Sequence, residues 1–238
     1  MMRTLVVLLF FCLGYSCTRK DKDVMVFVPS APTTPVSDSQ KLYLALGDSY
    51  TIGQSVSEAE RFPAQTVALL KGLRITVAQP NYIAQTGWTT ANLQSAISTQ
   101  NLTPTYDVVS LLIGVNDQYQ HMDTAGYAMR FAALLEKAIQ LAAGKRGRVF
   151  VLSIPDYSVT PFVSATDKAR VSAEVDLFNA INQRITASFG VDYTNITPSS
   201  RQAQTNPALI SMDNLHPSGL EYKKWAEMLL PKMKAALQ

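Results

Sequence analysis

The stretch KLYLALGDSY, at residues 41–50, says more about the fold than any other part of the sequence. Its first six residues form a short, mostly apolar run that ends at Gly47, and such a run predicts a buried strand. A turn follows at residues 47–50, and apolar residues at helical spacing begin at Phe62. A buried strand that leads through a turn into a helix is the repeating unit of α/β proteins.

The rest of the chain alternates between the same two patterns. Short apolar or β-branched runs predict four more strands, at residues 75–78, 107–113, 148–154 and 191–196. Helical patterns separate and follow the strands, at residues 62–73, 89–98, 125–143, 167–189 and 217–237. This alternation predicts a three-layer α/β/α domain, in which helices cover both faces of a five-stranded parallel sheet. Such sheets bind their ligands beyond the carboxyl ends of the strands.

The composition bounds the number of domains and excludes one class of partner. The chain has 238 residues, of which 47% are hydrophobic and 16% are charged, and this suffices for one domain with a full core. The net charge of +3 is small and no long basic run is present, so we expect no nucleic-acid partner. Both cysteines, Cys12 and Cys17, precede the predicted domain, which therefore has neither a disulfide nor a thiolate metal site.

The first 40 residues predict an address and a tether. Residues 5–13 form an apolar run behind Arg3, too short to span a bilayer, which fits a secretory signal at residues 1–17. Small residues before Cys17 resemble a bacterial lipoprotein signal, in which the cysteine is lipidated and anchors the protein to the membrane of the cell envelope. An ordinary cleaved signal, giving a secreted or periplasmic protein, is the alternative. Residues 18–40, rich in charge and then in Pro, Ser and Thr, predict a tether to a domain at residues 41–238.

Residues suited to nucleophilic catalysis follow the predicted strands. A serine hydroxyl needs a base to take its proton; histidine suits that task, and a carboxylate can fix the histidine ring. Ser49 follows the first strand, while Asp213 and His216 precede the last helix at a spacing that lets both side chains face the same way. Gly87 and Asn116 follow the second and third strands, and with the Ser49 N–H they could donate hydrogen bonds to an oxyanion.

Other residues near these turns allow more than one interpretation. His121 is the rival base, but no acid stands at a comparable spacing from it. We expect Asp48 to accept backbone hydrogen bonds in the turn before Ser49. Pro217 suits the first position of the last helix.

These blocks together resemble the SGNH hydrolases, also called GDSL esterases and lipases. Gly47-Asp48-Ser49, Gly87, Gly114-Val115-Asn116-Asp117 and Asp213-x-x-His216 resemble four blocks of that family, in the family's order. The resemblance covers roughly residues 41–235, and Tyr50 departs from it where the family name has leucine. It implies a flavodoxin-like fold, Ser49 as nucleophile, Asp213 and His216 as acid and base, and an oxyanion hole of Ser49, Gly87 and Asn116. The chemistry that the resemblance implies requires neither a metal ion nor an organic cofactor.

The expected activity is therefore hydrolysis of a carboxylic ester through an acyl-Ser49 intermediate. Trp88, Asp156 and Tyr157 are predicted to contact the substrate, although packing within their own loops would equally explain them. We expect short-chain or acetyl esters, such as acetylated glycans, as substrates. A lysophospholipase or thioesterase acting on lipid-derived acyl groups is one alternative, and a non-catalytic binding protein on the same fold is another.

Overall fold

The computed structural model describes residues 40–100, 102 and 106–238. The predicted signal peptide, its Cys17 and all but the last residue of the predicted tether at residues 18–40 lie outside the described residues. Within the described ranges, no helix combines the length and the apolar character that a membrane crossing requires.

Five parallel strands form one sheet, in the order β2-β1-β3-β4-β5. The strands are β1 (Tyr43–Gly47), β2 (Asn81–Ala84), β3 (Val108–Leu112), β4 (Val149–Leu152) and β5 (Asp192–Thr194). Every residue of β1, β3 and β4 is buried, as expected of inner strands that helices cover on both faces. The predicted five-stranded parallel sheet of an α/β fold is confirmed.

Eight α-helices connect and follow the strands in the described part of the chain. They are α1 (Ser49–Ile52), α2 (Phe62–Gly72), α3 (Thr90–Ser98), α4 (Val115–Tyr119), α5 (Thr124–Leu141), α6 (Lys168–Ser188), α7 (Thr197–Ser200) and α8 (Gly219–Leu237). Helices α2 and α8 pack against each other, while α5 packs against both α3 and α6. The five long helices begin and end within two residues of the predicted bounds.

The second strand lies at Asn81–Ala84, and its prediction at residues 75–78 was wrong. In the predicted range, Val77 forms only an isolated bridge, with Lys41. The position of β2 within the sheet explains why its prediction was wrong. Strand β2 is at the edge of the sheet and only Ile83 within it is fully buried, so it lacks the continuous apolar run of an inner strand.

The last helix begins at Gly219, and the prediction that Pro217 opens it was also wrong. Ser218 is the N-cap, and Pro217 instead pairs with Ile210 in an isolated antiparallel bridge. The Ser211 N–H also donates to the His216 carbonyl at 2.8 Å. These contacts close the segment between Ile210 and Pro217 into a loop that carries Asp213 and His216.

Aromatic packing between α2 and α8 fixes the chain just after this loop. Phe62 of α2 contacts Tyr222 and Trp225 of α8, with ring centroids 6.4 and 6.0 Å apart. All three side chains are fully buried, and the Trp225 indole N–H donates to Glu221 at 2.8 Å. The start of α8 is therefore firmly packed, which limits the movement of the loop before it.

Candidate active site

Ser49 lies at the carboxyl end of β1, where the chain turns into α1. Asp48 is the N-cap of that helix, and its carboxylate accepts a hydrogen bond from the Tyr50 N–H at 3.0 Å, as expected. Ser49 is the first residue of the helix, so its own N–H has no acceptor within the helix. The turn needs Gly47, because a Cβ there would lie 2.3 Å from the Leu112 carbonyl oxygen and 2.1 Å from the Thr51 hydroxyl.

Asp213 and His216 are paired within the loop before α8. The Nδ1 atom of His216 lies 2.6 Å from Oδ2 of Asp213, and Ser55 donates to the same oxygen at 2.6 Å. The other oxygen, Oδ1, accepts from the N–H groups of Leu215 and His216 and from the Ser211 hydroxyl. Partial burial opposes ionisation, but these hydrogen bonds outweigh it and hold the pKa of Asp213 well below its usual range.

His216 and Ser49 face the same cavity. Both residues are buried, with 7% and 4% of their surface exposed, and the Tyr50 ring packs against the imidazole at a centroid distance of 5.1 Å. Among the described residues, no direct hydrogen bond joins the Ser49 hydroxyl to the imidazole. Such a bond often tightens only when substrate binds, so the arrangement is compatible with proton transfer between the two.

Gly87 and Asn116 come to this cavity from two other strand ends. Gly87 has a φ of +82°, in the turn after β2, and Asn116 belongs to the short helix α4 after β3. The Asn116 side-chain amide donates one hydrogen bond to the Trp88 carbonyl at 3.0 Å. An amide nitrogen carries two hydrogens, so a second donor remains for a ligand. Ser49, Gly87 and Asn116 thus line the same cavity.

The cavity itself has a volume of about 160 Å³. Side chains and backbone from four strand ends and from the loop before α8 line it: Ser49, Tyr50, Thr86, Gly87, Val115, Asn116, Tyr119, Tyr157, Phe162, Leu215 and His216. Four of the five residues that the sequence predicted for the chemistry or the oxyanion hole line the cavity, and the fifth, Asp213, lies behind the imidazole.

Comparison with known families agrees with this geometry. Residues 45–224 match the model of the GDSL-like lipase/acylhydrolase family. The chain belongs to this family. No curated protein gives a significant match to the sequence.

Solved structures of esterases and of an acylhydrolase share the fold. The acetylxylan esterase Axe2 from Geobacillus stearothermophilus superposes with a TM-score of 0.63 at 17% identity, covering 81% of this chain and 94% of that one. The lipase/acylhydrolase from Enterococcus faecalis gives 0.65 at 16% identity, covering 84% and 98%. The esterase EstA from Pseudoalteromonas sp. gives 0.63 at 15% identity, covering 82% and 98%.

Of the three residues predicted to contact substrate, only Tyr157 lines the cavity. Trp88 is half-buried against the core, and its carbonyl accepts from Asn116. Asp156 is buried, and its carboxylate accepts hydrogen bonds from Ser158, Ser172 and Arg201. Both residues therefore support the loops of this GDSL hydrolase, and neither lines the cavity beside Ser49 as predicted.

An aromatic cluster of Tyr119, Tyr157 and Phe162 forms one wall of the cavity. Their ring centroids lie 6.2–6.4 Å apart, and the Tyr157 hydroxyl donates to the Gln118 side chain at 2.8 Å. Sequence reasoning named Tyr157 and missed Tyr119, which the position of α4 directly after Asn116 could have suggested. His121, the rival base, does not line this cavity and has a left-handed backbone, with φ of +53°.

Ser55 is the other residue that sequence reasoning missed. It has a φ of +67° and holds Asp213 from the segment just after α1. A lone serine in a loop gives no signal of such a role. In residues 40–100, 102 and 106–238, no group of three or more His, Cys, Asp or Glu side chains is arranged to bind a metal ion.

Proposed function

We propose that this GDSL hydrolase cleaves carboxylic esters of short acyl chains through an acyl-enzyme at Ser49. One observation carries the proposal: Ser49 and the Asp213-bound His216 face one cavity, together with Gly87 and Asn116. Those groups are the nucleophile, base, orienting acid and oxyanion donors that acyl transfer to serine requires.

In the first step His216 takes the Ser49 hydroxyl proton on Nε2 while the serine oxygen bonds to the ester carbonyl carbon. The carbonyl oxygen becomes an oxyanion, which the Ser49 and Gly87 N–H groups and the Asn116 amide stabilise. The intermediate then breaks its carbon–oxygen bond to the alcohol, which leaves with the proton from His216. Water, deprotonated by His216, attacks the acyl-serine; the carboxylic acid departs and Ser49 regains its proton.

The size and lining of the cavity support a short acyl group. Its volume of about 160 Å³ is bounded by apolar side chains, among them Val115, Phe162 and Leu215. An acetylated glycan is the substrate we favour. An acetylxylan esterase shares the fold, and two aromatic side chains at the cavity, Tyr119 and Phe162, are about half exposed.

The direct test measures hydrolysis of p-nitrophenyl acetate and of its butyrate, octanoate and palmitate analogues. We expect the highest kcat/KM with acetate, and a loss of at least about 10³-fold in Ser49→Ala, since removing a triad member leaves only binding and the oxyanion hole. Ser188→Ala, a change at an exposed serine of α6, is the control and should keep full activity. Wild-type protein no faster than Ser49→Ala would refute catalysis, and a maximum at octanoate or palmitate would favour lipid-derived substrates.

We further propose that a lipid on Cys17 anchors the protein to an envelope membrane. The support is the sequence of residues 1–17 alone. In a bacterial host, Cys17→Ser should move the protein from the membrane fraction to the soluble fraction. The matched variant Cys12→Ser should leave it in the membrane fraction. A membrane-bound Cys17→Ser protein would contradict the anchor.

A further inference from the structure

A second cavity lies on the other side of the aromatic cluster of Tyr119, Tyr157 and Phe162. It has a volume of about 300 Å³, and all three aromatic residues line both cavities. Tyr119 and Phe162 are 53% and 49% exposed, so their rings are accessible to a bound molecule. The two cavities are therefore neighbours that share the aromatic cluster as a common wall.

The second cavity differs from the first in its chemistry. Polar side chains occupy much of its lining, among them Gln118, His121, Ser164, Asp167 and Arg170. Three of these are joined by hydrogen bonds, in which Asp167 accepts from the Ser164 hydroxyl at 2.7 Å and from the Arg170 guanidinium at 3.0 Å. The lining therefore offers both donors and acceptors of hydrogen bonds.

The charges of this lining favour a neutral ligand. The positive charge of Arg170 is balanced by Asp167, and Arg170 also binds Glu174 of the same helix at 3.0 Å. An anionic ligand would have to compete with these two carboxylates for the guanidinium. A neutral molecule with several hydroxyl groups can instead bind to the hydrogen-bond donors and acceptors that remain accessible in this lining. The apolar face of the same molecule can pack against the aromatic cluster.

An ester has two parts that extend away from the carbonyl carbon in different directions. If the apolar cavity beside Ser49 binds the acyl part, the alcohol part of the bound ester must extend into a different region of the surface. We propose that the second cavity is the subsite for the alcohol, and that this alcohol is a neutral polyhydroxyl unit of the kind found in a glycan. This inference rests on the proposed esterase function and specifies which surface selects its substrate.

The test compares two esters of the same acid, 6-O-acetylcellobiose and ethyl acetate. For each protein the measured quantity is the ratio of kcat/KM for the sugar ester to kcat/KM for ethyl acetate. Arg170→Met should lower this ratio about tenfold, the loss expected for one hydrogen bond to a charged group. Ser164→Phe, at an exposed position, should lower it at least as much by filling the cavity.

The matched control is Arg184→Met, at an exposed arginine of the same helix that lines neither cavity. This variant should keep the wild-type ratio. An unchanged ratio in both Arg170→Met and Ser164→Phe would overturn the subsite. A wild-type preference for an acetylated uronic acid over acetylcellobiose would overturn its neutral character.

The experiment also separates this inference from the proposed function. Hydrolysis of both acetylcellobiose and ethyl acetate no faster than in Ser49→Ala would refute the esterase and leave the ratio undefined. Binding is then measured directly, by the saturation-transfer NMR signal of cellobiose with the Ser49→Ala protein. A signal that Ser164→Phe abolishes supports the subsite, and its absence from the Ser49→Ala protein itself overturns it.

Discussion

At the scale of single residues, Asp213 shows how much of the site depends on one carboxylate. Its two oxygens accept five hydrogen bonds, two from backbone N–H groups and the others from Ser55, Ser211 and the His216 ring. Four of the five partners belong to its own loop. Ser55 is the exception, because it comes from the segment that follows the nucleophile.

We expect Ser55→Ala to lower kcat about tenfold with little change in KM. The lost hydrogen bond frees Asp213 to move and raises its pKa towards the usual range, so the carboxylate orients His216 less well. Because the carboxylate stays ionised at neutral pH in either protein, the loss should appear in kcat rather than in KM. Kinetics of ester hydrolysis at pH 7 to 8 measure both constants.

The variant Ser55→Gly distinguishes the effect of losing the Ser55 hydroxyl from any effect of the backbone conformation at residue 55. Residue 55 has a left-handed φ, which glycine adopts without strain, so any effect of the backbone would be relieved in this variant. If the hydroxyl acts through Asp213, Ser55→Gly should lose as much kcat as Ser55→Ala. Wild-type kcat in the glycine variant would exclude the proposed role.

At the scale of secondary structure, Asp117 joins three helices behind the oxyanion hole. It is fully buried at the start of α4, one residue after Asn116. Its carboxylate accepts from the N–H and hydroxyl of Thr90, at the start of α3, and from Arg130 of α5. The position of Asn116 therefore depends on contacts that reach two other helices.

We expect Asp117→Ala to lower the free energy of unfolding by about 3 kcal/mol, because it leaves a buried N–H and a guanidinium without their partner. Urea denaturation followed by circular dichroism gives the value. Asp176→Ala is the control: that carboxylate pairs with Arg201 but is 57% exposed, so its loss should cost less than about 1 kcal/mol. Equal losses in the two variants would contradict the proposed role of Asp117.

The helices and strands also show which parts of the fold could be predicted from the sequence and which could not. The inner strands and long helices have continuous apolar runs or clear helical spacing, and these were predicted to within a few residues. Strand β2 was misplaced because an edge strand is only partly buried. Pro217 was misplaced because it closes the loop before α8 by a bridge with Ile210, and the preference of proline for the start of a helix gives no sign of such a bridge. Ser49, Gly87 and Asn116 come from turns that follow strands, and the acid and the base come from the segment before α8. The role of Ser55, in contrast, depends on a contact with Asp213 that no local pattern encodes.

At the scale of the whole molecule, the buried carboxyl group of Asp48, the residue before the nucleophile, makes the free energy of unfolding depend on pH. Asp48 is fully buried at the carboxyl edge of the sheet, and its Oδ2 atom has no hydrogen-bond partner in the part of the chain that the structure describes. Burial, with Asp117 nearby, raises the pKa of Asp48 to about 8 in spite of the hydrogen bond from the Tyr50 N–H. In the unfolded chain the same carboxyl ionises near its ordinary pKa of about 3.9.

Between these two values the folded protein binds more protons than the unfolded chain, so the free energy of unfolding should fall as pH rises. Asp48→Asn keeps an acceptor for Tyr50 and does not titrate. We therefore expect the stability of the wild type, relative to Asp48→Asn, to fall between pH 5 and 8 and then to level off. Asp213, whose pKa is lowered, loses its contribution only below about pH 4, outside this range. Urea denaturation at pH 5 to 9 measures the difference, and a constant value would contradict the raised pKa.

The hydrogen bond between Ser55 and Asp213 joins residues 158 positions apart in the chain. Contacts of such long range close large loops, and they form late in folding because the entropy of closure precedes any gain. A chain folded only as far as β4 would already hold Ser49, Gly87 and Asn116 in their turns, yet it would lack both the base and its acid. The nucleophile would thus stay inert on a nascent or truncated chain, and reactivity would arise only when the carboxyl-terminal segment docks.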